Sequence, residues 1–160
     1  MESLERVLRE HPFMRDLADE HVKLLAGCAR NARFEPGEML FREGDEEATF
    51  YLVRQGSVAI EAQRPGKPSI CVETVGPGDL LGVSWMFRVD ESQEPDRAAA
   101  AAVLDARARD VVLAFALDGK CLRGKMGQDD RLGHALARHL LERVYLRLSR
   151  LRLQSLDVYG

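Results

Sequence analysis

The 160-residue sequence has no apolar run that approaches the ~20 residues a membrane-spanning helix requires. Its N-terminus is charged from Glu2 onward and lacks the apolar region of a signal peptide. The net charge is only −3, so the chain as a whole has no electrostatic reason to seek nucleic acid or an acidic membrane. These absences predict a cytoplasmic protein with no membrane partner.

Cysteine is also scarce. Cys28, Cys71 and Cys121 lie far apart in the sequence and form no C-x-x-C pair. We therefore expect neither a disulfide framework nor a structural zinc site, and we interpret the three as buried or half-buried free thiols.

The first part of the chain has the apolar periodicity of helices, and the middle has short apolar runs separated by turns, as strands do. Residues 3–29 carry apolar residues at helical spacing, and Pro12 predicts a division into two helices. From Arg33 onward, short apolar runs alternate with turns that contain Gly and Pro. The predicted strands are residues 39–41, 49–53, 57–62, 69–75, 98–104 and 107–115. Short strands at this spacing favour a barrel or a jelly roll.

The last part of the chain is predicted to be helical. Asp118 is the expected N-cap of a short helix that runs to Met126, and residues 131–157 contain no Pro, which predicts one long helix. Apolar and small residues repeat along it at spacings of three and four, as in a coiled coil: His134, Ala137, Leu141, Val144, Leu148, Leu151, Ser155 and Val158. This seam predicts a homodimer through the C-terminal helix; packing within one monomer is the alternative.

The histidines argue against an enzyme. Barrel enzymes that bind a metal place His and carboxylate ligands on their inner strands. All four histidines here fall in the predicted flanking helices: His11, His21, His134 and His139. No nucleophile and base occur at an informative spacing either. We expect no catalytic residue, no metal and no cofactor.

Three glycine-containing stretches carry a family resemblance: FEPGEMLFREGD at 34–45, FYLVRQGSV at 50–58 and GPGDLLG at 76–82. They resemble the cyclic-nucleotide-binding domain of the catabolite activator and fumarate–nitrate regulator family, of kinase regulatory subunits and of gated channels. The resemblance covers nearly the whole chain. It implies a mainly β fold with flanking helices: a cyclic-nucleotide-binding-type β-barrel, also described as a double-stranded β-helix or jelly roll, over residues 1–130, and a long C-terminal dimerisation helix over 131–160.

The resemblance also implies a ligand site. In that family a short helix, here residues 84–87, offers backbone N–H groups to a cyclic phosphate, and an arginine on the next strand forms a charge-assisted pair with the same phosphate. The positions that match this phosphate cassette and its arginine strand are Gly82, Val83, Ser84, Trp85, Arg97 and Ala98. Arg97 matches the phosphate-binding arginine; a salt bridge to an acid of its own loop is the alternative.

Three of these positions depart from the family pattern. Val83 stands where a Glu accepts the ribose 2′-hydroxyl, Trp85 replaces a small residue, and Ala98 replaces a hydroxyl that favours guanine. Trp85 is therefore a candidate to fill part of the cavity. The segment from Gly82 to Arg97 is also longer than usual and acidic.

In DNA-binding relatives the long helix supplies a hydroxyl to the adenine ring. The matching positions here are Leu146 or Arg147, with Ser149 nearby. Arg147 could contact a base or an acidic ligand; alternatively it belongs to a solvated basic face. Residues 131–156 hold six Arg and one acid, but no recognition helix follows, so we expect no direct sequence-specific DNA binding.

Together these features predict a ligand-sensing regulatory domain. It would bind a small anionic ligand, with cAMP as the candidate, and signal through a dimeric helix to a protein partner that the sequence does not identify. The alternative is a degenerate scaffold of the same fold that acts as a protein-interaction module without a nucleotide.

Overall fold

The computed structural model describes residues 3–42, 49–87 and 104–159, with side chains through residue 86 in the second range and residue 154 in the third. The chain divides into two compact units, Met1–Arg123 and Gly124–Gly160.

Two short helices open the first unit, α1 over Leu4–Arg9 and α2 over Asp19–Ala26. The side chain of Ser3 caps α1 by accepting a hydrogen bond from the backbone N–H of Arg6 at 3.3 Å. Pro12 lies between the two helices, so the predicted division is confirmed.

The strands follow in chain order: β1 Ala29–Phe34, β2 Met39–Phe41, β3 Thr49–Gln55, β4 Val58–Arg64, β5 Lys67–Val75, β6 Leu80–Leu81, β7 Asp105–Ala108 and β8 Val112–Asp118. Over the described ranges they form two antiparallel sheets of four strands each, ordered β1-β8-β3-β6 and β2-β7-β4-β5. The predicted jelly-roll-type fold is confirmed, as two facing sheets and not as one closed barrel.

The main core lies between the two sheets. Its buried side chains include Tyr51 and Val53 from β3, Ile60 from β4 and Leu81 from β6. Because successive strand residues point to opposite faces, Phe50 and Leu52 of β3 lie on the outer face of the first sheet. Phe13, which follows α1, packs edge-on against Phe50 with ring centroids 5.4 Å apart. The N-terminal segment therefore covers this outer face.

Two sequence predictions for the strands need correction. Residues 107–115 are not one strand, because β7 pairs in one sheet and β8 in the other, and the chain crosses between them at 109–111. The crossing is held to the β3–β4 turn by a hydrogen bond from the N–H of Ser57 to the carboxylate of Asp110 (2.8 Å). Strand β1 was not predicted, because its sequence, ARNARF, shows no clear apolar alternation.

Two helices follow β8: α3 over Gly119–Gln128 and α4 over Asp130–Tyr159. The Asp118 carboxylate accepts hydrogen bonds from the N–H groups of Lys120 and Cys121, at 2.9 and 3.2 Å, so the predicted cap is confirmed. Asp129 caps α4 in the same way. The long C-terminal helix is also confirmed; the predicted strand at 98–104 lies outside the described residues except for Leu104.

Candidate functional site

The predicted cassette is a sharp turn followed by a short helix. Strand β6 ends at Leu81, and Gly82 follows with φ +77°, a backbone conformation that side chains with a Cβ rarely adopt. Residues Ser84–Phe87 then form a 3-10 helix, with a hydrogen bond from the N–H of Met86 to the carbonyl of Val83 at 3.2 Å. The structure thus brings Gly82, Val83, Ser84 and Trp85 into one compact segment, which we call the cassette (residues 82–87).

Trp85 anchors the cassette on the outer side of the first sheet. Its side chain is fully buried, and its ring lies 5.9 Å from that of Phe50, which faces away from the core between the sheets. Among the described residues its indole Nε1 has no hydrogen-bond partner. The expectation that Trp85 fills the interior cavity is therefore wrong, because the ring packs on the opposite face of the sheet.

Two strands contribute small side chains to the core between the sheets. Ala106 and Ala108 of β7, and Ala114 and Ala116 of β8, all belong to the core between the sheets. The described members of this core are apolar side chains together with Tyr51, and none carries a charge. Such a surface can surround the apolar part of a ligand, but it offers no group for acid–base or nucleophilic chemistry.

The N-terminal half of α3 contacts the cassette. Arg123 donates a hydrogen bond from Nη1 to the backbone carbonyl of Trp85 at 2.8 Å, and this contact is partly buried. The arginine thereby satisfies a carbonyl in the 3-10 helix, where helices leave such groups without an internal partner. Sequence reasoning missed Arg123, since only the fold brings residues 85 and 123 together.

Cys28 and Cys121 form a disulfide, with their Cα atoms 5.7 Å apart. The prediction of three free thiols is wrong for this pair; Cys71 is free, and it is exposed rather than buried. The two cysteines are 93 residues apart in sequence, so no local motif reveals them. The pairing of β1 with β8 places them side by side, since Ala29 is opposite Leu117 and the N–H of Asp118 bonds the carbonyl of Cys28.

Several predicted site residues remain predictions. Arg97 and Ala98 lie outside the described residues. Leu146, Arg147 and Ser149 lie on α4 in the second unit, where the hydroxyl of Ser149 bonds the carbonyl of Tyr145 at 3.1 Å.

Buried His11 has structural partners on both ring nitrogens. His11 Nδ1 accepts a hydrogen bond from the N–H of Phe13 at 3.1 Å, so its Nε2 carries the proton and donates to the carbonyl of Val53 at 2.8 Å. No group of three or more potential metal-ligating side chains occurs in the ranges the structure describes. Within the same ranges, no helix is long and apolar enough to cross a membrane.

The two sheets, the turn at Gly82 and the 3-10 helix define a domain of the cyclic-nucleotide-binding class. The family model described as "Cyclic nucleotide-binding domain" matches residues 32–125, which is more than half of the chain. The chain therefore belongs to this family. The family domain is regulatory and not itself catalytic.

Solved structures agree with this assignment. A cyclic nucleotide-binding protein from Geobacter metallireducens is 26% identical, with a TM-score of 0.73, and the match covers 92% of this chain and 99% of that one. The regulatory domain of Toxoplasma gondii PKA, solved with cAMP, is 19% identical with a TM-score of 0.65, over 87% of this chain and 49% of that one.

The regulatory subunit of a cAMP-independent protein kinase A from Trypanosoma cruzi, bound to guanosine, is 20% identical with a TM-score of 0.61. That match covers 76% of this chain and 40% of the other. At these identities the two kinase structures support the fold alone.

Proposed function

We propose that this chain is a ligand-sensing regulatory domain that binds a small anionic ligand, a cyclic nucleotide of the cAMP type, at its cassette. The observation that carries the proposal is the cassette itself: a glycine with φ +77° and, one residue later, the start of a 3-10 helix, in a chain of this family. The domain has no catalytic role in this proposal, needs no cofactor or metal and works in the cytoplasm.

The interior between the sheets supports ligand binding. The largest cassette side chain, Trp85, packs against Phe50 on the outer face and so does not occupy the interior. The alanines of β7 and β8 keep the inner wall thin, which allows another group to approach the backbone closely. Arg97 is proposed to pair with the ligand phosphate, as the matching arginine does in the family.

The cassette sequence limits which nucleotide binds well. The side chain of Val83 cannot accept a hydrogen bond from a ribose hydroxyl, and burying that hydroxyl without a partner costs about 1–3 kcal/mol. We therefore propose that this domain depends mainly on the phosphate–arginine pair and only weakly on the ribose.

Helix α4 is proposed to carry the signal as a homodimer. On it, Leu141 and Leu148 of the predicted seam are 70% and 46% exposed, and Val144 between them is 39% exposed. An apolar stripe at coiled-coil spacing gains most by packing against the same stripe of a second copy. Ligand binding would shift the helix pair only by its differential affinity for two helix arrangements, and a protein partner would read that shift.

Titration calorimetry tests the proposal directly. The full chain is titrated with cAMP, cGMP and cyclic dinucleotides, with the linear 5′-monophosphates as controls for nonspecific anion binding. We expect saturable heat from at least one cyclic nucleotide and none from the linear controls. Heat from none of them, at concentrations well above micromolar, would overturn nucleotide binding.

Val83 at the ribose position favours a second candidate, a scaffold that kept the fold but uses it as a protein-interaction module. This candidate predicts that Arg97→Ala leaves partner binding unchanged, whereas the sensor predicts that the same variant loses its response to ligand. If a partner co-purifies in equal amounts with the parent and with Arg97→Ala, and nucleotide has no effect on either, the scaffold is favoured.

A further inference from the structure

A covalent link joins the first turn of α3 to the segment between α2 and β1. Cys28 is buried and Cys121 is half-buried, so Cys121 is the more exposed residue of the pair. Across the same junction the N–H of Asp118 donates to the carbonyl of Cys28 at 3.0 Å. The disulfide therefore adds a covalent constraint to the point where β8 passes into α3.

Arg123 follows Cys121 by two residues and reaches the cassette. Its hydrogen bond to the Trp85 carbonyl spans 38 residues of sequence and connects the disulfide-anchored turn to the 3-10 helix. A hydrogen bond from a charged donor is among the strong ones, and it requires that the guanidinium be held in place. The disulfide and the cassette are thus connected through three residues of one helical turn.

We propose that Arg123 is a positioning residue for the cassette and that the redox state of the Cys28–Cys121 pair controls it. With the disulfide formed, α3 starts at a fixed point and Arg123 holds the Trp85 carbonyl. With the disulfide reduced, the first turn of α3 keeps only non-covalent contacts, and the cassette is held less firmly. The effect on ligand affinity rests on the proposed function; the effect on the cassette does not.

The reduction uses a dithiol protein or small-molecule dithiol as the reductant. One thiolate of the reductant attacks Sγ of Cys121, the more exposed residue of the pair, the Cys28–Cys121 bond breaks, and Cys28 leaves as a thiolate that takes up a proton. The second thiolate of the reductant then displaces Cys121 from the mixed disulfide. Two electrons reduce the pair to two thiols, and the reductant becomes a disulfide. Disulfides in the cytosol are usually of this transient or sensing kind.

Hydrogen–deuterium exchange of a peptide that covers residues 80–87 tests this proposal. The full chain carries Cys71→Ser, so that the exposed thiol cannot form disulfides between copies. Exchange is measured in the oxidised protein and again after reduction with dithiothreitol. We expect exchange in this peptide to rise about tenfold on reduction, the effect of losing one charge-assisted hydrogen bond. The emission of Trp85, the only tryptophan in the chain, should shift to longer wavelength in parallel.

Variants distinguish the positioning role of Arg123 from a general stabilisation of the fold by the disulfide. Oxidised Arg123→Gln should exchange like the reduced protein and should no longer respond to dithiothreitol, while Arg123→Lys should retain part of the protection. Lys125→Gln, on the same helix, is the matched control and should behave like the parent. Arg123→Gln keeps the disulfide, so the test does not depend on whether Cys28→Ser/Cys121→Ser folds.

The outcomes distinguish this proposal from the proposed function. Equal exchange in both redox states, or an Arg123→Gln variant that still responds to reduction, would overturn the redox proposal even if a nucleotide binds. A redox-dependent cassette in a protein that binds no nucleotide would support it while the sensor function fails. If a nucleotide does bind, its affinity should fall about tenfold on reduction, and equal affinities would count against the proposal.

Discussion

The indole ring of Trp85 packs against the ring of Phe50, with centroids 5.9 Å apart and planes tilted by 46°. Phe50 in turn contacts Phe13, so the cassette, strand β3 and the N-terminal segment share one layer of aromatic rings. This layer lies outside the first sheet, on the side opposite the core between the sheets. The cassette is therefore anchored on the outer side of this sheet through Trp85.

Removing the centre of this layer should destabilise the fold strongly. Phe50→Ala is expected to lower the free energy of unfolding by about 3–5 kcal/mol, because it leaves a cavity beneath two rings. Phe50→Leu should lower the free energy of unfolding by less, since the leucine side chain fills most of the space that the phenylalanine ring occupied. Urea denaturation followed by circular dichroism measures both, with Val111→Ala at an exposed position as the control. Equal stability of Phe50→Ala and the control would contradict this packing.

Gly56 is required by both its conformation and its surroundings. It has φ +84°, and a Cβ there would lie 2.3 Å from the carbonyl oxygen of Val111. Gly66 also has a positive φ but nothing within 4 Å, so Gly66→Ala isolates the conformational cost, about 1–2 kcal/mol. Gly56→Ala should lower the free energy of unfolding by about 1–3 kcal/mol more than Gly66→Ala does, because of the clash. Equal losses in thermal or urea denaturation would show that the close approach does not exist.

His11 ties the N-terminal segment together through its neutral ring. The carbonyl of Val53 also accepts from the N–H of Gly78 at 2.9 Å, so it keeps a partner when His11 is removed. Removing the ring takes away the hydrogen bond that the buried N–H of Phe13 donates to it, which costs about 0.5–1.5 kcal/mol. His11→Asn restores an acceptor near the Nδ1 position, whereas His11→Gln restores only the donor. Urea denaturation should therefore rank His11→Asn above His11→Gln, and the reverse order would contradict this assignment of the hydrogen bonds.

The seam on α4 predicts a dimer that one charge can disrupt. Leu141→Glu places a carboxylate in the seam, where a second copy would have to bury it. Leu153→Glu is the matched control, because Leu153 is 63% exposed but lies beside the seam. Analytical ultracentrifugation should show a dimer for the parent and the control and a monomer for Leu141→Glu. A parent that is monomeric at tens of micromolar would contradict the seam assignment.

A carboxylate at position 83 should strengthen nucleotide binding. Val83→Glu supplies the acceptor that the family provides for the ribose 2′-hydroxyl, and the expected gain is about 5- to 150-fold in affinity for a cyclic ribonucleotide. Val83→Gln, with an acceptor but no charge, should gain less. Calorimetry with the ribose and 2′-deoxyribose forms checks the cause: the gain should disappear for the deoxy ligand. An equal gain for both forms would place the effect elsewhere.

Much of the fold follows from local sequence signals. The glycine-containing turns locate most of the strands, with β2 predicted at its observed bounds, and Asp118 marks the start of α3. The features that the sequence does not reveal all depend on contacts between distant residues. The Cys28–Cys121 disulfide exists because β1 pairs with β8. The Arg123–Trp85 hydrogen bond exists because β3 pairs with both β6 and β8, which precede these two residues. Likewise, the outer position of Trp85 depends on which face of β3 presents Phe50, which a single tryptophan in a loop-like stretch cannot indicate.

The central claim is that the guanidinium at position 97 pairs with an anionic ligand held by the cassette. The most direct test is the affinity of Arg97→Gln for the cyclic nucleotide that binds the parent most tightly, measured by calorimetry. Arg64→Gln, an exposed arginine at the end of β4, is the control with the same change in charge. We predict a loss of about 10- to 150-fold for Arg97→Gln, the value of one hydrogen bond to a charged group, and none for Arg64→Gln. Equal affinities for Arg97→Gln and the parent would contradict the claim.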